Sequence, residues 1–178
     1  DYRSSRGLGD VYKRQLSTNT PLGTSTTQVP NDNIVLATIL RAGLPLHNGL
    51  LNYFDTAENC FISAYRKHTS ADDFEVEIEY LASPSLEGKV VLLSDTMLAS
   101  GQSIILAYKA LLKKGQPSNI HIVSVIGSQQ GINLVSEIFP DNTTLWIGAV
   151  DPKMTTQSYI VPGLGDAGDL AFGEKDDE

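Results

Sequence analysis

A segment of small polar residues that could bind phosphate follows an apolar run in the middle of the chain. The apolar run over residues 90–94 (VVLLS) ends at Asp95, and residues 96–103 (TMLASGQS) lead into a helical pattern. The start of a helix offers unpaired backbone N–H groups and the positive end of the helix dipole, which suit a phosphate. Ser100 and Ser103 would add hydroxyl donors, and Asp95 could hold sugar hydroxyls or a metal ion.

The residue types of this segment bear on whether it binds phosphate or is an ordinary strand-to-helix turn. It has no lysine, so it is not the usual nucleoside-triphosphate loop. The alternative to a phosphate site is an ordinary strand-to-helix turn in which Ser100 caps the helix. An apolar strand followed by an acid and then by ASGQS favours the phosphate site, because ligands of open α/β sheets bind outside the carboxyl ends of the strands.

Alternating strand and helix patterns predict the elements that position this segment. Helices are predicted at residues 43–54, 101–114 and 131–139, and strands at residues 33–40, 60–66, 74–81, 89–94, 119–127, 144–150 and about 158–161. Strand 74–81 (FEVEIEYL) alternates strictly between apolar and acidic residues, which is typical of a half-solvated antiparallel strand. With strand 60–66 it would form a flap over about residues 60–81. The fold class is therefore α/β, with a mainly parallel sheet flanked by helices and a small antiparallel flap.

Composition bounds the class of protein. The chain has 178 residues, a net charge of −8, 41% hydrophobic residues and one cysteine. These values indicate a globular protein without a disulfide framework. The acidic balance argues against binding nucleic acid through bulk charge. No apolar run is long enough for a membrane span, and the N-terminus lacks a signal-peptide core, so we expect a soluble cytoplasmic protein without a membrane partner.

The first fifteen residues differ from the rest. They hold four basic and two acidic residues, so the remainder carries −10, and DVYKRQ resembles the translation of a transposon adaptor used in sequencing libraries. We expect residues 1–15 to be disordered adaptor read-through; the alternative is a basic disordered tail. Residues 16–33 read as a loop or edge arm. Residues 16–178 would then form one domain that is incomplete at its N-terminus.

Four segments resemble the type I phosphoribosyltransferases, and specifically the uracil phosphoribosyltransferase family. Residues 95–103 (DTMLASGQS) resemble its ribose-phosphate loop, D-P-M-L-A-T-G-G-S, and residues 39–43 (ILRAG) resemble its pyrophosphate-side segment. The AYRKH stretch around Arg66 resembles its arginine strand, and residues 159–173 (YIVPGLGDAGDLAFG) resemble its uracil-binding segment. The chain departs from the family loop at Thr96 for Pro, Ser100 for Thr and Gln102 for Gly.

The resemblance implies a reaction in pyrimidine salvage. Uracil and 5-phosphoribosyl 1-pyrophosphate would give UMP and pyrophosphate, with Mg²⁺ accompanying the pyrophosphate substrate. It also implies a homodimer or higher homo-oligomer, and GTP as an allosteric activator, as in some relatives. Two alternatives stay open: a regulator that keeps this fold and binds nucleic acid, and a phosphoribosyltransferase for another base.

The resemblance also implies roles for individual residues, without assigning a direct metal ligand. The catalytic residues would be Asp95, Arg66 and Asp166. Uracil would be bound by Tyr159, Ile160, Gly165, Asp166 and Ala167. The phosphoribosyl pyrophosphate would be bound by Arg41, Arg66, Asp95, Thr96, Met97, Leu98, Ala99, Ser100, Gly101, Gln102, Ser103 and Asp166. Alternatively, Arg41 is a surface arginine at a strand end, and Arg66 is paired with Asp72 or Asp73.

Overall fold

A computed structural model describes residues 13–30, 33–70 and 73–174 of the chain. The chain divides into two units, Asp1–Asn33 and Ile34–Glu178. This division differs from the single domain that we predicted over residues 16–178. Within the described part of the chain, no helix has the length and apolar character required to cross a membrane.

The first unit contains a polar β-hairpin. Strands β1 (Lys13–Thr20) and β2 (Gly23–Pro30) pair in antiparallel fashion, with Ser17 opposite Thr26. The side chains of residues 15–28 are exposed on both faces of the hairpin, so it buries no apolar core of its own. The region that we predicted as a loop or edge arm is therefore a hairpin. Residues 13–15, which we expected to be disordered, belong to β1, whereas residues 1–12 lie outside the described residues.

The second unit is built on a mainly parallel sheet. Its strands are β3 (Ile34–Leu40), β4 (Glu58–Ser70), β5 (Asp73–Ala82), β6 (Val90–Ser94), β7 (Met97–Leu98), β8 (Asn119–Ser128) and β9 (Thr143–Asp151). The order runs β5-β4-β3-β6-β8-β9, and β7 pairs with β8 beyond the end of β6. All these pairings are parallel except that of β4 with β5.

In the described part of the second unit, the remaining elements are four helices and a small second sheet. The helices are α1 (Leu44–Leu51), α2 (Gln102–Leu111), α3 (Gln129–Ile138) and α4 (Ala167–Phe172), and a single 3₁₀ turn, Leu112–Lys114, follows α2. Strands β10 (Lys153–Met154) and β11 (Ile160–Val161) pair in antiparallel fashion apart from the main sheet. The predicted strand at about 158–161 therefore exists but does not join the main sheet, and α4 was not predicted.

The core forms where apolar strands meet apolar helix faces. Strands β3 and β6 are buried along almost their whole length, as expected of parallel strands covered on both faces. Helix α2 buries Ile104, Ile105, Ala107 and Leu111 against them. These positions share one side of the helix because they follow its 3.6-residue period. The α/β fold class is thus confirmed, and the sheet brings the ends of β3, β6 and β8 to one edge.

The β4–β5 hairpin extends past that edge. β4 pairs with β3 only as far as Ser63, opposite Leu40, and then continues to Ser70 paired with β5 alone. At about 3.3 Å per residue, its last seven residues would extend roughly 20 Å beyond the end of β3. The predicted antiparallel pairing of these two strands is confirmed, and the hairpin spans residues 58–82 where we predicted a flap over about 60–81.

Candidate active site

The turn after β3 and the loop after β6 meet at the carboxyl edge of the sheet. The turn comprises residues 41–43, and the loop, called the phosphate loop below, comprises residues 95–103. The Thr96 hydroxyl donates a hydrogen bond of 2.5 Å to the carbonyl oxygen of Ala42. The Thr96 carbonyl in turn accepts hydrogen bonds from the backbone N–H groups of Val125 and Ile126 in β8. Thr96 therefore ties three neighbouring strand ends together, and proline could not supply the hydroxyl bond.

The turn after β3 leaves no room for a side chain at Gly43. A Cβ atom there would lie 2.4 Å from the Thr38 hydroxyl and 3.0 Å from the Ser94 carbonyl oxygen. The Gly43 carbonyl accepts the N–H of His47, which starts the α1 ladder. Pro45 stands in the first turn of α1, where its missing N–H costs nothing. The sequence RAGLP thus forms a tight strand-to-helix connection that holds Arg41 at the edge of the sheet.

The phosphate loop places the start of α2 at the same edge. Asp95 follows β6, and Met97 and Leu98 form β7, with Leu98 fully buried. Gly101 has the left-handed φ of 85° and is the residue before the first turn of α2. The Ser100 hydroxyl accepts the backbone N–H of Gln102, the first residue of α2, at 3.5 Å, whereas Gly101 at the N-cap position makes no side-chain bond. The alternative reading of Ser100 as an ordinary helix cap therefore stays open. The next N–H groups of this helix start have no described side-chain partner and are suited to an anion.

The C-terminal segment contacts the turn through an ion pair. Nη2 of Arg41 donates to Oδ1 of Asp169 at 2.7 Å and to the Gly173 carbonyl oxygen at 3.3 Å. Both charged side chains are about one-third exposed. Arg41 is therefore not an unpaired surface arginine. Its Nε atom is buried and has no hydrogen-bond partner among the described residues.

Asp166 begins the short helix that carries Asp169. Its Oδ1 atom accepts the N–H of Gly168 at 2.7 Å and that of Asp169 at 3.1 Å, an N-cap arrangement. Gly165, with a φ of 82°, provides the turn before the cap. Asp166 therefore shapes the segment through its own backbone, a role that we did not predict, and its contact with phosphoribosyl pyrophosphate stays a prediction.

The predicted uracil-binding residues lie along one continuous path. Ile160 is buried in β11, the backbone of Tyr159 is hydrogen-bonded to Thr155, and Ala167 is buried at the start of α4. Asp151, at the end of β9, accepts the N–H of Gly163 at 3.1 Å and so anchors the path to the main sheet.

A cavity of about 330 Å³ lies between the turn, the phosphate loop and the C-terminal segment. Its lining is almost entirely apolar: Ala42, Pro45, Leu46, Thr96, Val125, Leu164, Ala167, Leu170 and Ala171. The carboxyl edge of the sheet is thus concave, and both the turn and the C-terminal segment contribute walls.

Arg66 belongs to the flap. It lies in β4 opposite Val76, three residues past the last residue that pairs with β3. Its backbone is thus placed beyond the edge where Arg41 lies. The side chains of Arg66 and Asp73, and the whole of Asp72, fall outside what the structure describes, so neither reading of Arg66 is tested.

Comparison with known proteins identifies the family. A sequence model described as uracil phosphoribosyltransferase matches residues 5–174. Two strains of Porphyromonas gingivalis have uracil phosphoribosyltransferases that are 59% identical over 97% of this chain and 84% of the relative. The uracil phosphoribosyltransferase of Methanococcus maripaludis is 40% identical over 90% of this chain and 69% of the relative. The chain belongs to the uracil phosphoribosyltransferase family.

Solved structures agree with the fold of a uracil phosphoribosyltransferase. The AQ2163 protein from Aquifex aeolicus superposes with a TM-score of 0.84 at 31% identity, covering 93% of this chain and 78% of that one. A purine phosphoribosyltransferase from Pyrococcus horikoshii superposes with a TM-score of 0.50 at 15% identity, covering 70% and 80%, which supports the fold alone. The predicted phosphoribosyltransferase-like architecture is confirmed.

Sequence reasoning about this phosphoribosyltransferase missed three groups that hold the site together. Asp169 pairs with Arg41, Asp151 anchors the C-terminal segment, and Ser128 bonds to the phosphate loop. A local signal existed for two of them. Asp166 precedes Asp169 by three residues in an N-cap spacing, and Ser128 precedes the helical pattern of α3. Their long-range partners have no signal in a single sequence.

Proposed function

We propose that this chain transfers the phosphoribosyl group of 5-phosphoribosyl 1-pyrophosphate to N1 of uracil, giving UMP and pyrophosphate. The observation that carries the proposal is the meeting of the Arg41 turn, the phosphate loop and the C-terminal segment at one edge of the sheet. The contacts are the Thr96 bond to Ala42 and the Arg41 bond to Asp169. A two-substrate reaction needs such convergence, because both substrates must be held in one geometry.

The chemistry requires positive groups near the leaving pyrophosphate. As the bond from C1 of the ribose to the leaving oxygen breaks, the sugar becomes oxocarbenium-like and negative charge grows on the pyrophosphate. Preorganised donors aimed at that charge lower the barrier. Arg41, with a buried Nε donor that has no described partner, and Arg66, on the flap beyond the same edge, supply guanidinium groups for this role.

The other end of the same substrate would bind at the phosphate loop. The start of α2 offers backbone N–H groups, of which only that of Gln102 has a described side-chain contact, at 3.5 Å from the Ser100 hydroxyl. Ser100 and Ser103 flank the left-handed Gly101 and would add hydroxyl donors. Asp95, nearly buried at the end of β6, would hold the ribose hydroxyls between the two ends.

Uracil would be read by the C-terminal segment. In the proposed complex, the backbone groups of Ile160, Gly165 and Ala167 pair with the donor and acceptor edge of the ring. The Asp166 cap and the Asp151 bond to Gly163 support this backbone path. A site that hydrogen-bonds a ring edge discriminates strongly against bases without the match, because its buried polar groups would be left unpaired.

In the proposed complex, Mg²⁺ would enter the site as a companion of the pyrophosphate substrate. The described residues hold no cluster of three or more histidine, cysteine or acidic side chains. Mg²⁺ commonly binds through substrate phosphates, water and one or two carboxylates, and Asp95 and Asp166 would be the nearest candidates for the latter. When bound, the ion would neutralise charge on the pyrophosphate. GTP activation, a homo-oligomeric assembly and a cytoplasmic location stay predictions.

Steady-state kinetics test the proposal. The full chain is incubated with uracil, phosphoribosyl pyrophosphate and Mg²⁺, and UMP is quantified. We expect UMP from the wild-type chain and from Ser124→Ala, a buried serine of β8 that has no described hydrogen-bond partner, and much less from Asp95→Asn. Cytosine, hypoxanthine and adenine compete in parallel. Folded protein that makes no UMP would refute the activity, and preference for a purine would refute the reading of the C-terminal segment.

A further inference from the structure

Ser128 contacts the phosphate loop although no motif assigned it to the site. It is the last residue of β8 and is 1% exposed. Its hydroxyl donates to the carbonyl oxygen of Ala99 at 2.6 Å and accepts the N–H of Gly131 at 2.8 Å. A serine hydroxyl has one donor proton, which here bonds to the Ala99 carbonyl of the loop. Its oxygen accepts the Gly131 N–H and so caps α3. One buried atom therefore connects the phosphate loop to the start of the next helix.

Close backbone packing reinforces this connection. A Cβ atom at Gly131 would lie 2.2 Å from the Ala99 carbonyl oxygen and 3.1 Å from that of Leu98. A Cβ atom at Gly101 would lie 3.2 Å from Cγ2 of Val135. The loop backbone thus lies directly against the first turns of α3, and the Ala99 carbonyl is directed at that helix.

The direction of this carbonyl determines the direction of the next N–H group. The peptide unit between Ala99 and Ser100 is trans, and in a planar trans peptide the N–H points opposite to the C=O. Because Ser128 and Gly131 hold the Ala99 carbonyl toward α3, the N–H of Ser100 points away from α3. That N–H lies two residues before Gln102, the first residue of α2, whose own N–H contacts the Ser100 hydroxyl at 3.5 Å. The N–H groups that follow in the helix start have no described side-chain cap.

We propose that Ser128 is a positioning residue for the phosphate monoester of the nucleotide: by holding the Ala99 carbonyl, it aims the Ser100 N–H at the 5-phosphate. The proposal rests on the proposed function, since it assumes that a phosphoribosyl group binds at this loop. Ser128 itself does not touch the substrate, and its hydroxyl acts through one peptide unit.

Inhibition by UMP and by uridine tests this role, because the two ligands differ only in the phosphate. Inhibition constants against the forward reaction are measured for the wild-type chain, Ser128→Ala, Ser128→Thr and Ser124→Ala. We expect Ser128→Ala to weaken inhibition by UMP about tenfold, as expected when one hydrogen bond to a charged group is lost, and to leave uridine unchanged. Ser128→Thr keeps the hydroxyl and should restore UMP inhibition. Ser124→Ala should match the wild type with both ligands.

A second measurement, on the wild-type chain, does not depend on the stability of any variant. Addition of UMP should shift the amide proton of Ser100 in a nitrogen–proton correlation spectrum, and uridine should not. Two results would overturn the role of Ser128 while leaving the activity intact. One is an equal loss of UMP and uridine inhibition in Ser128→Ala, and the other is a Ser100 amide signal that UMP does not shift. A wild-type chain that forms no UMP and is not inhibited by it would overturn both proposals.

Discussion

The turn after β3 and the phosphate loop meet at the same sheet edge but are held there in different ways. The turn presents Arg41, whose charged side chain reaches across to Asp169 and the Gly173 carbonyl on the C-terminal segment. The phosphate loop is held by buried neutral contacts, chiefly the Ser128 hydroxyl bond and the backbone approach at Gly131. One connection thus relies on a partly exposed ion pair, and the other on close packing.

The difference indicates which part of the site can rearrange when substrate arrives. A partly exposed ion pair is a weak constraint that salt screens, and a guanidinium has several donors with which to bind a second anion. A backbone carbonyl buried against a glycine has no such freedom. We therefore expect the phosphate loop to be preformed, whereas Arg41 can share its charge between Asp169 and pyrophosphate.

The largest expected effect comes from filling the space beside the phosphate loop. Gly131→Ala places a Cβ atom against the Ala99 carbonyl, so we expect the free energy of unfolding to fall by about 3 kcal/mol, as for an overpacked core. The control is Gly49→Ala in α1, where nothing lies within 4 Å of the added Cβ and about 0.5–1 kcal/mol of stabilisation is expected. Chemical denaturation measures both. Equal stabilities for the two variants would show that the loop is not tightly packed.

The second prediction concerns the ion-paired turn. Arg41→Ala should lower kcat/KM for phosphoribosyl pyrophosphate about 10- to 100-fold, since hydrogen bonds to charged groups are worth about 1.5–3 kcal/mol. Asp169→Asn leaves the guanidinium in place and should have a smaller effect. Initial rates at low and high salt measure both variants. If Asp169→Asn were as damaging as Arg41→Ala, the main role of Arg41 would be to hold the C-terminal segment.

The third prediction concerns Thr96, which joins the two connections. Thr96→Val keeps the shape of the side chain and removes its bond to the Ala42 carbonyl, which should raise the KM for phosphoribosyl pyrophosphate about fivefold, or about 1 kcal/mol. Thr96→Ser retains the hydroxyl and is the matched control. Substrate titration of both variants provides the measurement. A serine variant as impaired as the valine variant would indicate that packing, not the hydrogen bond, matters here.

The smallest effect is a pH dependence at the start of α1, next to the turn. Burial lowers the pKa of the His47 imidazole, and the backbone N–H of the same residue donates to the Gly43 carbonyl oxygen. Near pH 6.5 the unfolded chain therefore binds a proton on His47 that the folded chain does not bind. The free energy of unfolding consequently falls as pH falls. From pH 7.5 to 6.5 this amounts to about 0.4 kcal/mol.

Thermal unfolding of wild-type and His47→Gln chains at the two pH values isolates the contribution of His47. Burial also lowers the pKa of His121, which adds a parallel dependence to both proteins. The wild-type chain should therefore lose more stability than the variant on acidification. An identical loss in the two proteins would contradict the assignment to His47.

Local patterns predicted most of the fold. The apolar runs of β3, β6 and β8 and the strict alternation of β5 were sufficient to predict these strands. A strand buried on both faces is apolar throughout, and one buried on a single face alternates between apolar and polar residues. The polar hairpin β1–β2 was not predicted as strands, because its serine and threonine residues show no alternation. Helix α4 was missed because three glycines and a proline precede or interrupt its short span.

The site was predictable only in part. The resemblance of residues 95–103 and 159–173 to the uracil phosphoribosyltransferase family singled out two segments, and the structure places residues of both beside one cavity. The side-chain roles were less predictable. Asp166 caps a helix, Ser100 makes only a long contact of 3.5 Å with the start of α2, and Thr96 bonds to a residue 54 positions away. Such contacts depend on where other segments pass, which residue types alone do not encode.

The sequence by itself determined the α/β class, the family and most of the strands. These follow from local burial patterns and from motifs read along the chain. Only the tertiary structure decided which strand ends meet. It also decided that Arg41 pairs with Asp169, 128 positions away, and that the Ser128 hydroxyl bonds to the phosphate loop. The physical reason is that hydrogen bonds and ion pairs form between groups close in space, and strand order and register bring distant residues together.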